Sequence, residues 1–265
     1  MSLSSEAVLD LLASVAAEVI TPRFRALSSA QIDEKKPGDL VTVADHEAEE
    51  LITTALQEAY PDAVVLGEEA HSSRPALMEE FRAAAHGFTV DPVDGTKNFV
   101  HGSPDHAVMV AEVRDGEAVR GWIWQPEHEV GWVAEAGAGV RRNGERMRRT
   151  PAGEEPVGAT SIWSRRGRQP DGLPALKGSW ICCGIDYARL IEGEADYLLY
   201  GHTNPWDHLP GTLMVREAGG AAAHRDGTPY DARSTGAGLV VAADPRTLER
   251  ARYSCEGLWP DRRGS

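Results

Sequence analysis

Hydrophobic positions recur with one period in the first third of the chain and with another in the middle. Val8, Leu11, Leu12, Val15 and Val19 fall at helical spacing and Pro22 limits the run, which predicts an amphipathic opening helix. Leu40-Val41-Thr42-Val43 reads as a short strand, and Asp45 then stands at the N-cap position of a second helix. That helix has Glu47 in its first turn, Leu51, Ile52, Ala55 and Leu56 on one face, and an end near Ala59. Pro61-Asp62 breaks the chain before a buried strand, Ala63-Val64-Val65-Leu66, which runs into Gly67-Glu68-Glu69. A helix over residues 75–85 and a strand at Phe88-Thr89-Val90 follow.

Beyond residue 107 the period becomes that of strands. Residues 108–113, 119–124 and 129–135 read as consecutive strands, and Asn143-Gly144 as a type I′ hairpin turn, which together predict an antiparallel sheet. Trp122, Trp124 and Trp132 fall in these strands as packing residues. The Pro-, Gly- and Glu-containing stretch from Thr150 to Pro156 marks a boundary between a lobe of residues 1–150 and a lobe of residues 151–265. In the second lobe a helix from Asp186 to Glu192 stops at Gly193, and Tyr197 to Tyr200 forms a strand. Trp206-Asp207 then opens a helix that ends at Gly219-Gly220.

At 265 residues the chain can bury a large core, and a hydrophobic fraction of 42% suits a globular α+β protein. A formal net charge of −14 argues against a nucleic-acid partner, since binding a phosphate backbone needs clustered Lys and Arg. An anionic small substrate would also be repelled unless bound cations reversed the local field. The three cysteines, Cys182, Cys183 and Cys255, have neither zinc-site nor disulfide-framework spacing, and a reducing cytoplasm fits them. The opening apolar segment is interrupted by Asp10 and Glu18, so neither export nor a membrane span is expected.

Acids gather where predicted strands end and helices begin: Glu68 and Glu69, Asp91 and Asp94, Asp45 and Asp207. In DPVDGTKNF, Pro92 fixes its own φ and keeps Asp91 extended, so both carboxylates and the Val93 carbonyl can face one side. Gly95 and Thr96 add backbone N–H groups and a hydroxyl, the donors wanted by a phosphate oxygen or an attacking water. Like charges this close resist ionising together unless a cation joins them. An all-oxygen set without His or Cys suits Mg²⁺, Mn²⁺ or Ca²⁺.

These residues resemble the inositol monophosphatase family. DPVDGTKNF is similar to its Asp-Pro-x-Asp-Gly-Thr signature and WDHLPGTLMVREAGG, residues 206–220, to its second; Gly67-Glu68-Glu69 and the segment from Leu40 to Asp45 match two more motifs in order. The resemblance covers about residues 5–250. It implies a layered αβαβα sandwich, a lithium-sensitive homodimer, and hydrolysis of a small phosphorylated polyol, sugar or related metabolite with two or three Mg²⁺ ions, Mn²⁺ being a substitute. It further implies that Glu68, Asp91 and the Val93 carbonyl hold one ion, that Asp91, Asp94 and Asp207 hold a second, and that Glu68 reaches a third. Asp45 and Thr96, with Glu68, would serve the attacking water, and Gly95 and Thr96 the phosphate.

Two positions depart from the pattern. Tyr200 stands where the inositol phosphatases carry an acid that grips the inositol hydroxyls, seven residues before the Trp-Asp aspartate. The segment Ile181-Cys182-Cys183-Gly184 replaces a loop that usually reads Gly-Thr-Ala or Ser-Ala-Ala, so Cys182 and Cys183 are substrate-side or core residues. Lys35 and Lys36, either of which could match a family lysine, read as a solvated charged loop. His101, His106 and His208 read as structural. Inositol 1-phosphate is the leading substrate. Histidinol phosphate, fructose 1,6-bisphosphate and 3′-phosphoadenosine phosphates are alternatives, and a non-catalytic protein-binding dimer is the reading from another class.

Overall fold

The computed structural model describes residues 2–36 and 39–259. Helix α1 (Ser5–Val15) starts where the Ser4 hydroxyl accepts the Ala7 N–H, and helical turns continue to Arg23. A small antiparallel ribbon of β1 (Ile32–Lys36) and β2 (Asp39–Thr42) leads into α2 (Val43–Ala59). Here the expected cap is corrected: Thr42 is the N-cap and Asp45 is the third helical residue. The two form a capping box, in which Asp45 Oδ2 accepts the Thr42 N–H at 2.8 Å.

The chain continues through β3 (Val64–Gly67), α3 (Glu68–Ser73), α4 (Leu77–Ala83), β4 (His86–Asp94) and α5 (Thr96–Val100). Five more strands follow: β5 (Ala107–Arg114), β6 (Glu117–Gln125), β7 (Val130–Glu135), β8 (Gly139–Arg142) and β9 (Glu145–Met147). Strands β3 to β9 make one seven-stranded sheet in chain order, parallel only between β3 and β4. Asn143 and Gly144, both at positive φ, close the β8–β9 hairpin.

A second, five-stranded sheet has the order β11-β10-β12-β14-β13. Its strands are β10 (Gly158–Thr160), β11 (Lys177–Gly178), β12 (Tyr197–Tyr200), β13 (Ala221–His224) and β14 (Leu239–Ala242). Between them run α6 (Cys183–Glu192) and α7 (Pro205–Ala218), and α8 (Pro245–Ser254) comes last.

The period of two in the strands sorts their side chains between layers. Phe88, Val90, Val108, Val110 and Trp122 pack with Val8, Leu12, Ile52 and Leu56 of α1 and α2. Met109, Ala111, Ile123 and Trp132 face the other way, onto Ile185, Leu209 and Leu213 of α6 and α7. Trp132 is therefore on the face opposite Trp122. Strands β12 and β14 repeat the alternation, with Leu198 and Val241 turned to that middle helix layer and Leu199, Val240 and Ala242 to Leu248 and Ala251 of α8. The result is an αβαβα sandwich whose middle core touches both sheets.

Candidate active site

The geometry of the site begins with a flaw in one strand pair. Asp91 of β4 lies opposite Met109 of β5, but Asp94 lies opposite Ala107, so a step of three residues on one strand is matched by a step of two on the other. In an unbroken strand residues three apart point to opposite faces; the bulge turns them to the same side. Pro92, which has no N–H to give a ladder, sits inside the interruption. The chain then turns sharply at Gly95, whose φ is +80°, and a Cβ there would come within 2.9 Å of the Cys182 Cβ. Glycine is required at that corner both for its backbone angle and for the close approach.

Asp207 arrives from the other half of the molecule. It is the third residue of α7, and Asn204 at the helix start donates from Nδ2 to its Oδ2 at 3.0 Å. One carboxylate oxygen from each of Asp91, Asp94 and Asp207 lies within 4.8 Å of the other two. Asp91 is 1% exposed and its buried Oδ1 has no hydrogen-bond partner among the described residues. Burial, then the charges of Glu68, Asp94 and Asp207, push the Asp91 carboxyl well above the usual range. Asp207 is raised in the same way, by burial and by Glu68 and Asp94. Burial also raises Asp94, against the pull of the Cys182 thiol and the Gly184 N–H, which donate to its Oδ2 at 2.9 and 2.6 Å.

This arrangement fits a hard divalent cation. The donors are all oxygens, one of them is buried and unsatisfied among the described residues, and burial together with the charges of neighbouring acids raises the Asp91 and Asp207 carboxyls. Each feature is a cost in the chain alone and a gain once a dication is present.

Glu68, the first residue of α3, stands beside this trio. Its charge helps raise Asp91 and Asp207, while its own Oε1 accepts from Lys35 Nζ at 2.8 Å. Lys35 also reaches Glu69 Oε1 at 2.7 Å. The expectation of a solvated lysine is corrected here, since the Lys35 side chain is only 14% exposed and bridges two glutamates. Burial opposes its charge, but the two carboxylates outweigh burial and raise its pKa.

At the end of the DPVDGT stretch, the Thr96 hydroxyl lies 3.1 Å from Asp45 Oδ1 and 2.9 Å from the Val93 carbonyl oxygen. Asp45 is 2% exposed, and burial pushes its carboxyl up to about 7 although Thr42 donates to it. The pair thus places a carboxylate poised near neutrality behind an alcohol at the rim of the acidic trio.

The C-terminal half supplies the wall that Asp94 leans on. Cys182 is buried, Cys183 is partly exposed, and burial followed by the Asp94 charge raises both thiols well above their usual range, so neither is a reactive thiolate. Just before them Ile181, 42% exposed, has φ +61°, an angle that a β-branched side chain rarely adopts. Asn98 of α5 holds this segment by donating from Nδ2 to the carbonyls of Asp105 and Trp180 at 2.7 and 2.8 Å. Tyr200 is 2% exposed and its hydroxyl donates to Asp186 at 3.2 Å, which places it behind the wall and away from solvent. His208 is also enclosed, with the Tyr187 hydroxyl 2.9 Å from its Nδ1 and the His202 carbonyl 3.0 Å from its Nε2.

A sequence profile of the inositol monophosphatase family matches residues 5–256. The chain belongs to that family. It is 32% identical over 216 residues to an inositol-1-monophosphatase of Mesorhizobium japonicum, covering 77% of this chain and 79% of the relative. A fructose-1,6-bisphosphatase/inositol-1-monophosphatase of Thermotoga maritima is 30% identical over 213 residues, 76% of this chain and 78% of the relative. A Nus factor SuhB of Pseudomonas aeruginosa is 29% identical over 221 residues, 77% of this chain and 79% of the relative. Among solved structures, an inositol monophosphatase of Thermotoga maritima superposes with a TM-score of 0.79 at 26% identity, covering 94% of this chain and 96% of that one.

Three residues that shape the site have no role in the expectations from sequence, although Asn98 lies within the DPVDGTKNF stretch. Asn98 and Asp186 act on backbone groups, and Glu49 stands one helical turn beyond Asp45. For Glu49 the spacing was legible, because residues four apart share a helix face.

Proposed function

We propose that the protein is a Mg²⁺-dependent phosphate monoester hydrolase and that inositol 1-phosphate is the first substrate to test. The observation that carries this reading is the convergence of Asp91, Asp94 and Asp207 on one point, beside the Thr96–Asp45 pair. In it, Glu68, Asp91 and the Val93 carbonyl hold one ion, Asp91, Asp94 and Asp207 a second, and Glu68 reaches a third; Mn²⁺ can substitute. Bound dications there supply Lewis acidity to the phosphoryl, attacking and leaving oxygens.

The chain's own groups do the rest. Thr96 accepts a hydrogen bond from the attacking water and passes its own proton toward Asp45 Oδ1. Asp45 is fixed for this by the Thr42 N–H and hydroxyl at 2.8 and 2.6 Å, which hold its other oxygen. Gly95, open to left-handed φ, turns the backbone so that the first N–H groups of α5 are free for a phosphate oxygen. The acid expected to grip polyol hydroxyls is replaced by the enclosed Tyr200, so leaving-group recognition falls to Asp94, Asp207 and the Cys182–Cys183 wall, with Tyr200 acting through Asp186.

A phosphate-release panel with and without EDTA tests the reading: inositol 1-phosphate, histidinol phosphate, fructose 1,6-bisphosphate and 3′-phosphoadenosine phosphates. Release of phosphate from at least one, abolished by EDTA and restored by Mg²⁺, is expected. Silence across the panel with Mg²⁺ present would overturn it. The family resemblance supports a homodimer inhibited by Li⁺, and three free cysteines suit a reducing cytoplasm. Relatives named Nus factor SuhB favour a second reading, a non-catalytic protein-binding dimer, against which the retained Asp45–Thr96 pair speaks.

A further inference from the structure

Helix α2 carries a second buried carboxylate whose partners lie outside the helix. Glu49 is 6% exposed, its Oε2 accepts the backbone N–H of Glu69 at 2.7 Å and its Oε1 the backbone N–H of Ala70 at 2.8 Å. Those two N–H groups belong to the first turn of α3, where an isolated helix leaves its donors unsatisfied. The N-cap of α3 is Gly67, which has no side chain to supply an acceptor. A Cβ on Gly67 would lie 2.2 Å from the Glu49 Cδ, so the glycine makes room for the carboxylate that replaces its own cap.

Helix α3 has six residues, too few to hold its own conformation, and it begins with Glu68. Lys35 binds the side chains of Glu68 and Glu69 but leaves their backbone free. The backbone is fixed instead from α2, by an acid one turn away from Asp45. One helix therefore places both the carboxylate behind Thr96 and the turn that bears Glu68.

We propose that Glu49 is a positioning residue for the metal site, holding the first turn of α3 so that the Glu68 carboxylate meets the cation held by Asp91. This rests on the metal-dependent reading above. Outer groups that orient a ligand typically change metal affinity by about 10- to 100-fold when removed.

The test is Mn²⁺ binding to the full chain, read by calorimetry and by electron paramagnetic resonance, in Glu49→Gln, Glu68→Gln and the double variant. Glu49→Gln is expected to weaken Mn²⁺ binding about 10-fold. If Glu49 acts through Glu68, that loss disappears when it is added to Glu68→Gln. Unchanged Mn²⁺ affinity in Glu49→Gln, or the same loss in both backgrounds, overturns the proposal, the second because it would mean general loosening. Gly67→Ala, which crowds the carboxylate without deleting it, is expected to shift Mn²⁺ binding in the same direction and serves if Glu49→Gln does not fold. Because Mn²⁺ binding is read without turnover, failure of the phosphatase reading would appear separately, as wild-type protein that binds Mn²⁺ and releases no phosphate.

Discussion

A single buried carboxylate and a buried trio occupy opposite ends of the β4–β5 pair, and the chain treats them in opposite ways. At one end Glu112 of β5 is met by Arg120 Nε, Arg114 Nη2 at 2.9 Å and His86 Nε2 at 3.0 Å. Burial alone would raise its pKa, but Arg120 and Arg114 hold it below the usual value. At the other end Asp91 and Asp94, joined by Asp207, have no such partners among the described residues, and burial, foremost, raises all three pKa values. The fold pairs Glu112 with its own cations and gives the trio no such pairing, which is the setting that the proposed dications would fill.

The largest effect that sharpens this contrast is on turnover. Asp94→Asn, measured by phosphate release at saturating Mg²⁺, should fall by several orders of magnitude while circular dichroism stays unchanged, as removal of a ligand from a metal clamp does. Unaltered turnover would retire the assigned site.

Stability should respond the other way at the two ends. Arg120→Ala leaves Glu112 underpaired in a buried position and is expected to cost about 3 kcal/mol in urea unfolding, the low end for a broken buried pair because Arg114 remains. Asp91→Asn, in EDTA, removes an uncompensated acid and should cost nothing or stabilise. If Asp91→Asn destabilised the metal-free protein as much as Arg120→Ala, the two ends would not differ in kind.

A smaller effect concerns pH. Burial, foremost, keeps protons on Asp45, Glu49 and Asp186 up to about 7 in the folded chain, against ordinary values of 3.8 and 4.5. The folded state then binds more protons than the unfolded one between those limits, so unfolding free energy falls as pH rises from about 4 to about 7. Thermal melts in EDTA should show that decline, and Mg²⁺ should flatten it by favouring the ionised trio. A melting temperature in EDTA that rises over this window would contradict the assignment.

The smallest is local. Ile181→Gly relieves a left-handed β-branched residue and should stabilise by about 1 kcal/mol, less whatever the added freedom of the unfolded chain removes. A destabilised Ile181→Gly protein would mean that the Ile181 side chain contributes packing that outweighs its backbone strain.

Much of this was visible in the order of residues. Strand periodicity located β5, β6 and β7, and the four ordered motifs named the family and the acids of the trio. What could not be read was how Asp91 and Asp94 come to share a face, because a bulge depends on the register of a partner strand. Helix α3 also escaped, since EEAHSS has no apolar period and its first-turn N–H groups are met by Glu49 from a distant segment. Lys35 differs from its expected solvated state for a related reason: a lysine between polar residues looks solvated until two distant glutamates are brought beside it. Thr42 took the cap from Asp45, which freed one Asp45 oxygen for Thr96.

Asp207 enters from α7, after β12 of the second sheet has formed, whereas Asp45, Glu68, Asp91 and Asp94 all precede the β5 strand. A chain still emerging from the ribosome therefore owns an open cage, and a fragment cut short before α7 keeps most of the acids without the one that closes it. Closing so long a loop is among the slow steps of folding. A copy that ends before α7 lacks Asp207 and with it the third acid of the trio, so chain order makes the assembled trio a mark of a molecule translated past its second sheet's β12 strand.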